Sequence, residues 1–222
     1  MKMACAPLNL CVDMPEDRIT SLILEQPSFF YSFISDIYAQ INGASGTLVF
    51  SDANRSFSAD KSVLLITQMI PFETNQKPLL NALYARMKKT AQSEELFLRT
   101  HEISSSIDAF IHTLAECCEE EIVWDHLDDI TPLLKAASVR FNDEQPNLQD
   151  QLLDYMLACR EYLGKQLFIT VNLRSYLGRK EAEELFHSII LHKLSLLCLE
   201  NREYPRIENE QRIIIDEDMC VI

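Results

Sequence analysis

The feature that most constrains this chain is the run 164–203, where the hydrophobic period switches from strand to helix and back. Residues 167–173 (Leu167, Phe168, Ile169, Thr170, Val171, Asn172, Leu173) form a short apolar, β-branched segment bounded by turn residues, which reads as a buried strand. Residues 179–191 place Ala182, Leu185, Phe186, Ile189 and Ile190 on one helical stripe, with Glu181, Glu183 and Glu184 in the first turns, where the helix dipole favours carboxylates. Residues 193–199 are a second apolar strand that ends in the charges of Glu200, Arg202 and Glu203. Strand, helix and strand in that order predict a β-α-β unit, with two parallel strands and a right-handed crossover.

The same reading applied upstream gives a strand at 18–24 and a helix at 28–41 carrying Phe30, Phe33, Ile34, Ile37, Tyr38 and Ile41, stopped by Asn42 and Gly43. Strands follow at 46–50 and 62–67, separated by turn chemistry at 51–56, and a helix near 76–91. From about Ser93 the strands disappear. Leu96, Ile103, Ile107, Phe110, Ile111 and Leu114 make an apolar stripe predicted to run on to about Ile122, roughly 40 Å of helix at 1.5 Å per residue. Helices at 127–138 and 148–163 come next, and a last strand or edge pairing at 212–216. The expected architecture is α/β: a discontinuous sheet-containing head, 1–92 and 164–222, and an inserted α-helical leg, 93–163.

A chain of 222 residues with 47% hydrophobic residues is expected to be globular. No apolar run approaches the roughly 20 residues that span a bilayer, and the start of the chain is too short in apolar residues for a signal peptide, so no membrane and a cytoplasmic location are expected. Seven cysteines without a C-x-x-C pair suit reduced thiols, most of them packed within apolar patterns. The net charge of −14 opposes nucleic acid, but its distribution is uneven. Residues 1–93 carry 8 basic and 8 acidic side chains, 94–163 carry 4 and 16, and 164–222 carry 8 and 10. The excess acid therefore sits in the middle third, and the near-neutral ends can present basic faces that the total conceals.

A β-α-β head invites a nucleotide, yet there is no G-x-x-x-x-G-K-[ST] and the chain holds only four glycines. Gly43 and Gly46 precede a strand rather than open a helix, so their amides are not aimed at phosphate by a helix N-terminus. Ser104, Ser105 and Ser106 lie inside a helical pattern without a base, the five histidines show no H-E-x-x-H spacing, and Cys117, Cys118 and His126 lack a partner pair for zinc. The sharper signal is Glu119, Glu120 and Glu121 followed by Asp125, Asp128 and Asp129. Carboxylates at the C-terminal end of a long helix oppose one another and the dipole, and hard oxygen ligands brought together by a helical bend suit Ca²⁺; the same residues also read as a solvated acidic bend.

Phe168 to Asn172, then Ser175, Tyr176 and Leu177, then Leu197 to Glu203 and the closing Ile215 to Asp218 resemble the CRISPR-associated adaptation protein of type II-A systems. The resemblance is most specific over the last quarter of the chain and looser elsewhere. It implies a head similar to a P-loop ATPase core without the nucleotide motif and a non-enzymatic role in spacer acquisition, beside the integrase proteins and the guide-RNA nuclease. It also implies a ring-shaped homotetramer held by calcium, which the resemblance carries onto Glu119, Glu120, Glu121, Asp125, Asp128 and Asp129. Such a ring takes linear double-stranded DNA through its hole and touches phosphates without reading bases. The basic candidates are Arg55 and Lys61 beside a turn, Arg86, Lys88 and Lys89 on one helix, and Lys135 and Arg140 within the leg. Two other readings stay open: a degenerate P-loop-like ATPase using Asn172, Arg174 or the acidic C-terminus, and a scaffold bridging the adaptation proteins.

Overall fold

The computed structural model describes residues 1–5, 10–53 and 55–222. Its chain divides into two compact units, 1–74 with 143–222 and 75–142. The expected boundaries at 92/93 and 163/164 differ from these. The 76–91 helix belongs to the inserted unit and the 148–163 helix to the head, because each buries its apolar face among residues of that unit.

The head is organised by a five-stranded, all-parallel sheet. Its strands are β3 (Ile19–Leu24), β6 (Val63–Ile66), β7 (Leu167–Val171), β8 (Ser195–Glu200) and β9 (Glu210–Ile215), in the order β6-β7-β8-β3-β9. The β-α-β unit is present as expected: β7 and β8 pair in parallel from Leu167 opposite Ser195 to Val171 opposite Leu199, and α7 (Arg179–Leu191) joins them. β3 and β8 are buried along their whole length, which is why they read as apolar runs and not as an alternation.

A second, antiparallel sheet is formed by β1 (Lys2–Cys5), β2 (Leu10–Asp13), β4 (Leu48–Asp52) and β5 (Arg55–Phe57), in the order β2-β1-β4-β5. Sequence reading misses β1 and β2 and takes 51–56 as a turn. Met3, Val12, Leu48 and Phe50 on this sheet join Phe33 and Ile37 of α1 (Pro27–Ile41) against Leu22, Leu24, Ile169, Leu197 and Leu199, giving an apolar core on one face of the parallel sheet. The opposite face is covered by α7 with Leu185, Phe186 and Ile189, which packs on β8 and on α6 (Leu148–Leu163). Gly164 ends α6 at φ +68°, a left-handed position that costs a glycine little.

The inserted unit contains α3 (Lys77–Ala91), α4 (Phe97–Glu116) and α5 (Thr131–Ala136); α2 (Ala59–Ser62) is a single turn in the head. The long helix stops at Glu116 and not near Ile122, and the next helix is 131–136 rather than 127–138. The cause is visible in the sequence: three consecutive glutamates would extend the helix at its negative end, where their mutual repulsion and the dipole both act against it. All seven cysteines are free thiols, but Cys11, Cys117, Cys118 and Cys220 are exposed, so packing accounts for only Cys5, Cys159 and Cys198. Among the described residues, no helix is long and apolar enough to cross a membrane.

Candidate nucleic-acid interface

Charge within the inserted unit is divided by element. The stretches 75–93 and 129–142, which hold α3 and α5, contain six cations (Lys77, Arg86, Lys88, Lys89, Lys135 and Arg140) and one carboxylate, Asp129. The stretch 94–128 contains ten carboxylates and one cation, Arg99. Inside an acidic chain, the α3 and α5 layer is thus strongly positive.

This layer is held by its own packing. Leu79 and Leu134 are buried, the Tyr84 hydroxyl donates to the Val139 carbonyl at 2.9 Å, and Asn75 exchanges hydrogen bonds with the Phe141 backbone at 2.9 and 3.0 Å. Lys77, Arg86, Lys89, Lys135 and Arg140 are exposed. Lys88 is turned to the carboxylate of Asp129 at 2.8 Å. Asp129 also accepts from the Thr131 amide at 2.9 Å and its hydroxyl at 2.7 Å, two residues on at the start of α5. The Lys88 ammonium first, and then these Thr131 bonds, hold the Asp129 carboxyl down at about 2. Two residues expected in different roles, one on a phosphate and one on an ion, are therefore partners of each other.

The acidic candidates do not converge. After α4 the chain runs back along the same helix as an extended strap: the Trp124 ring lies 5.9 Å from that of His112, His126 Nδ1 lies 3.0 Å from Asp108, and Asp129 reaches α3. Two residues of extended strap cover about the length of four residues of helix, so each carboxylate is carried farther from the last. Glu119, Glu120, Glu121, Asp125 and Asp128 are exposed at successive positions on this path. Among the described residues no group of three or more His, Cys, Asp or Glu is gathered so as to hold a metal ion, and one chain's residues do not fit calcium by themselves.

In the head, Arg55 opens β5 opposite Asp52, and Lys61 stands exposed in α2. Beside them sequence reading misses Lys165, whose ammonium donates to the Asp60 carbonyl at 2.7 Å and whose pKa is lowered by burial. Its only signal is its place after Gly164. The Ser58 hydroxyl and then Lys61 and Lys165 hold Asp60 below the usual carboxylate range.

The ends of β7 and β8 carry a second polar group, and it is buried. Arg174 donates its amide to Glu200 Oε1 at 3.0 Å and its guanidinium to the Pro205 carbonyl at 3.2 Å, and lies 3.6 Å from Glu210. Glu210 also accepts from Ser21 at 2.6 Å and Arg212 at 2.7 Å. Burial pushes the Glu200 carboxyl up to about 7, against the pull of Arg174. The guanidinium groups of Arg174 and Arg202 lie over the Tyr204 ring at 5.3 and 4.9 Å, and the Tyr204 hydroxyl shares a hydrogen bond of 2.7 Å with Ser175, which fastens this cluster from outside. Asn172 adopts φ 52° and accepts from the Asn201 amide at 3.1 Å. Asn172 and Arg174, two of the groups singled out for a degenerate nucleotide site, thus make contacts within the fold itself.

A phosphate cradle would require a glycine-rich loop between a parallel strand and the helix it feeds. Here β3 and α1 are joined by Glu25 and Gln26 alone. The Gln26 side chain takes the Phe29 amide at 2.5 Å, and Pro27 supplies no amide at the helix start, so this N-terminus is satisfied from within.

A family model described as "CRISPR-associated protein (Cas_Csn2)" matches residues 40–219. A "CRISPR-associated protein Csn2" of Enterococcus faecalis is 20% identical over 208 residues, which are 91% of this chain and 90% of that protein. The crystal structure of Stu0660 of Streptococcus thermophilus aligns with a TM-score of 0.60 and 13% identity over 100% of this chain and 76% of that one, a likeness of fold. An ATP-binding cassette of an ABC transporter, MJ1267 in its ADP conformation, reaches a TM-score of only 0.42 at 12% identity, over 88% of this chain and 74% of that one.

Proposed function

This chain belongs to the Cas_Csn2 family of CRISPR-associated proteins, and from that premise we propose that it is a non-catalytic protein that binds the ends of double-stranded DNA during spacer acquisition, as a ring-shaped homotetramer. The observation that carries the reading is the α3 and α5 layer, with six cations against one carboxylate in a chain of net charge −14. Its exposed cations are lysine and arginine, all but Arg140 on helices, and suit phosphate contacts made without base readout. Four copies around a hole would turn weak contacts into useful affinity. The two-residue turn before α1 supports a role without nucleotide hydrolysis, since no loop there surrounds a phosphate. Calcium belongs to the proposal as a bridge between copies, because one chain's described residues gather no ligand set. The integrase proteins and the guide-RNA nuclease are its expected partners, in the cytoplasm.

Two measurements test this. Light scattering with calcium should give a mass near four chains, falling after chelation; a monomer under both conditions sinks the ring and leaves a scaffold as the better reading. Linear duplex should bind in a salt-sensitive way and a closed circle of the same sequence far less. Equal binding to both would rule out threading. Saturable binding of ATP would bring back the nucleotide reading.

A further inference from the structure

Asp129 divides its two oxygens between two tasks. Oδ1 accepts from the Thr131 amide at 2.9 Å and hydroxyl at 2.7 Å, and Oδ2 faces the Lys88 ammonium at 2.8 Å. The carboxylate is thus set in place by its own neighbours before it meets the lysine, and it gives up little freedom in holding the ammonium. The strap that carries it does not depend on Lys88 either. Farther back it is fastened to α4 through Trp124 over His112 and His126 on Asp108.

The pair stands at the surface, with 42% of the Lys88 side chain and 41% of the Asp129 side chain exposed. An ion pair so open to water adds little to stability, so holding the fold together does not account for it. Its place among the cations does. The α3 and α5 stretches hold six cations and a single carboxylate, and that carboxylate is bonded to one of the six. Lys88 and Lys89 stand in the last turn of α3. A second strap carboxylate, Asp128, lines a groove of about 470 Å³ with Ala91 and Gln92 at the end of the same helix. The strap thus brings negative charge to the end of α3 that carries these two lysines.

A phosphate oxygen would take the Lys88 ammonium in the same way as Asp129 Oδ2, by a short charge-assisted hydrogen bond, so the two compete for one donor. We propose that Asp129 is an autoinhibitory carboxylate: it occupies Lys88 as a phosphate would, and it keeps the affinity of the α3 and α5 layer for duplex below what its cations allow. This rests on the proposed DNA binding and adds a regulation of the same surface. A protein that threads duplex without reading bases also has to slide along it and leave it. A cation masked from within the chain shifts that balance toward release.

Asp129→Asn tests this because it keeps the shape of the side chain. The carbonyl oxygen of asparagine still accepts from Thr131, while its NH₂ group faces the Lys88 ammonium; two donors do not bond, and Lys88 is freed. At a fixed calcium concentration, and at an unchanged mass in light scattering, this variant should bind linear duplex more tightly than the unaltered chain. The slope of log affinity against log salt should steepen by roughly 0.9 for each freed Lys88 that meets a phosphate, so the gain from one such contact falls about threefold between 50 and 200 mM salt. Glu120→Gln removes the same charge from an exposed strap position and should leave the slope unchanged. An equal gain with equal steepening there would reduce the effect to net charge and overturn the mask. Adding Lys88→Ala to Asp129→Asn should abolish the gain, and a gain that survives also overturns it. Unchanged or weaker binding by Asp129→Asn, beside normal binding by the unaltered chain, overturns the mask and leaves the DNA reading in place. An unaltered chain that binds no duplex removes both.

Discussion

Among the described hydrophobic residues that are buried, only Leu79, Ala91 and Leu134 lie in the inserted unit; all the others belong to the head. The head closes both faces of its parallel sheet, one with α1 and the antiparallel sheet, the other with α6 and α7. The inserted unit leaves a helix of 20 residues with no buried side chain. The same chain thus contains a part whose sequence is constrained by its own interior and a part whose apolar and charged surfaces are intelligible only against something outside it. Stability should therefore be set in the head and assembly and binding in the insertion, and that division can be tested one residue type at a time.

The sharpest contrast uses one substitution in two places. Phe168 of β7 is fully buried, so Phe168→Ala leaves a cavity and should cost about 3–5 kcal/mol. Phe110→Ala on the open face of α4 should change the stability of the dilute chain by less than about 0.5 kcal/mol. Urea unfolding of both checks this, and a large effect at Phe110 would mean that the insertion depends on its exposed face even in the monomer.

The second test is a pH profile, and it also belongs to the head. Glu200 is 1% exposed and its folded carboxyl is raised from 4.5 to about 7, so the fold favours the protonated form. That contribution is fully present below 4.5 and is lost as pH rises to 7 and beyond. At the relation of 1.36 kcal/mol per pH unit, it amounts to up to about 3 kcal/mol. Glu200→Gln is neutral throughout, so its melting temperature minus that of the unaltered chain should rise between pH 4.5 and 8. A constant difference would mean that Arg174 keeps Glu200 ionised and that burial is not the dominant influence.

A third test leaves stability alone. Replacing Lys89 and Lys135 by glutamate should barely move the melting temperature, since both are exposed, yet weaken linear-duplex binding and flatten its salt dependence by roughly 0.9 for each phosphate that is no longer neutralised. If Arg55→Glu with Lys61→Glu did this instead, the binding face would lie in the head.

Legibility in the sequence follows the same division. The parallel sheet can be read because strands buried on both faces are continuous apolar runs, and α7 because its stripe repeats at 3.6. β1 and β2 cannot, since Lys2–Cys5 and Leu10–Asp13 are short and bury only part of each strand, so their identity depends on partners remote in sequence. The end of α4 falls short of the expected one because Ile122 and Val123 continue an apolar pattern that the glutamates before them interrupt electrostatically. In the candidate interface, the cations are identifiable one by one. Their separation from the carboxylates by element is hidden in a domain total, and the pairing of Lys88 with Asp129 needs the fold.

That pairing supplies the smallest expected effect. Asp129 is depressed from 3.8 to about 2, so whatever it contributes to stability is present above 3.8 and is lost as pH falls to 2. Lys88→Ala removes the largest cause but leaves the two Thr131 bonds, so a carboxyl titration should show Asp129 rising only part of the way to 3.8. Because the ammonium of Lys88 is already engaged, Lys88→Ala should also cost less duplex affinity than Lys89→Ala. The two are adjacent in sequence and differ in role: one cation anchors the strap to α3, the other meets solvent. Equal losses would show that DNA takes Lys88 from Asp129. The strap would then be released on binding, and the line between a positive layer for DNA and an acidic layer for other contacts would be one that DNA itself redraws.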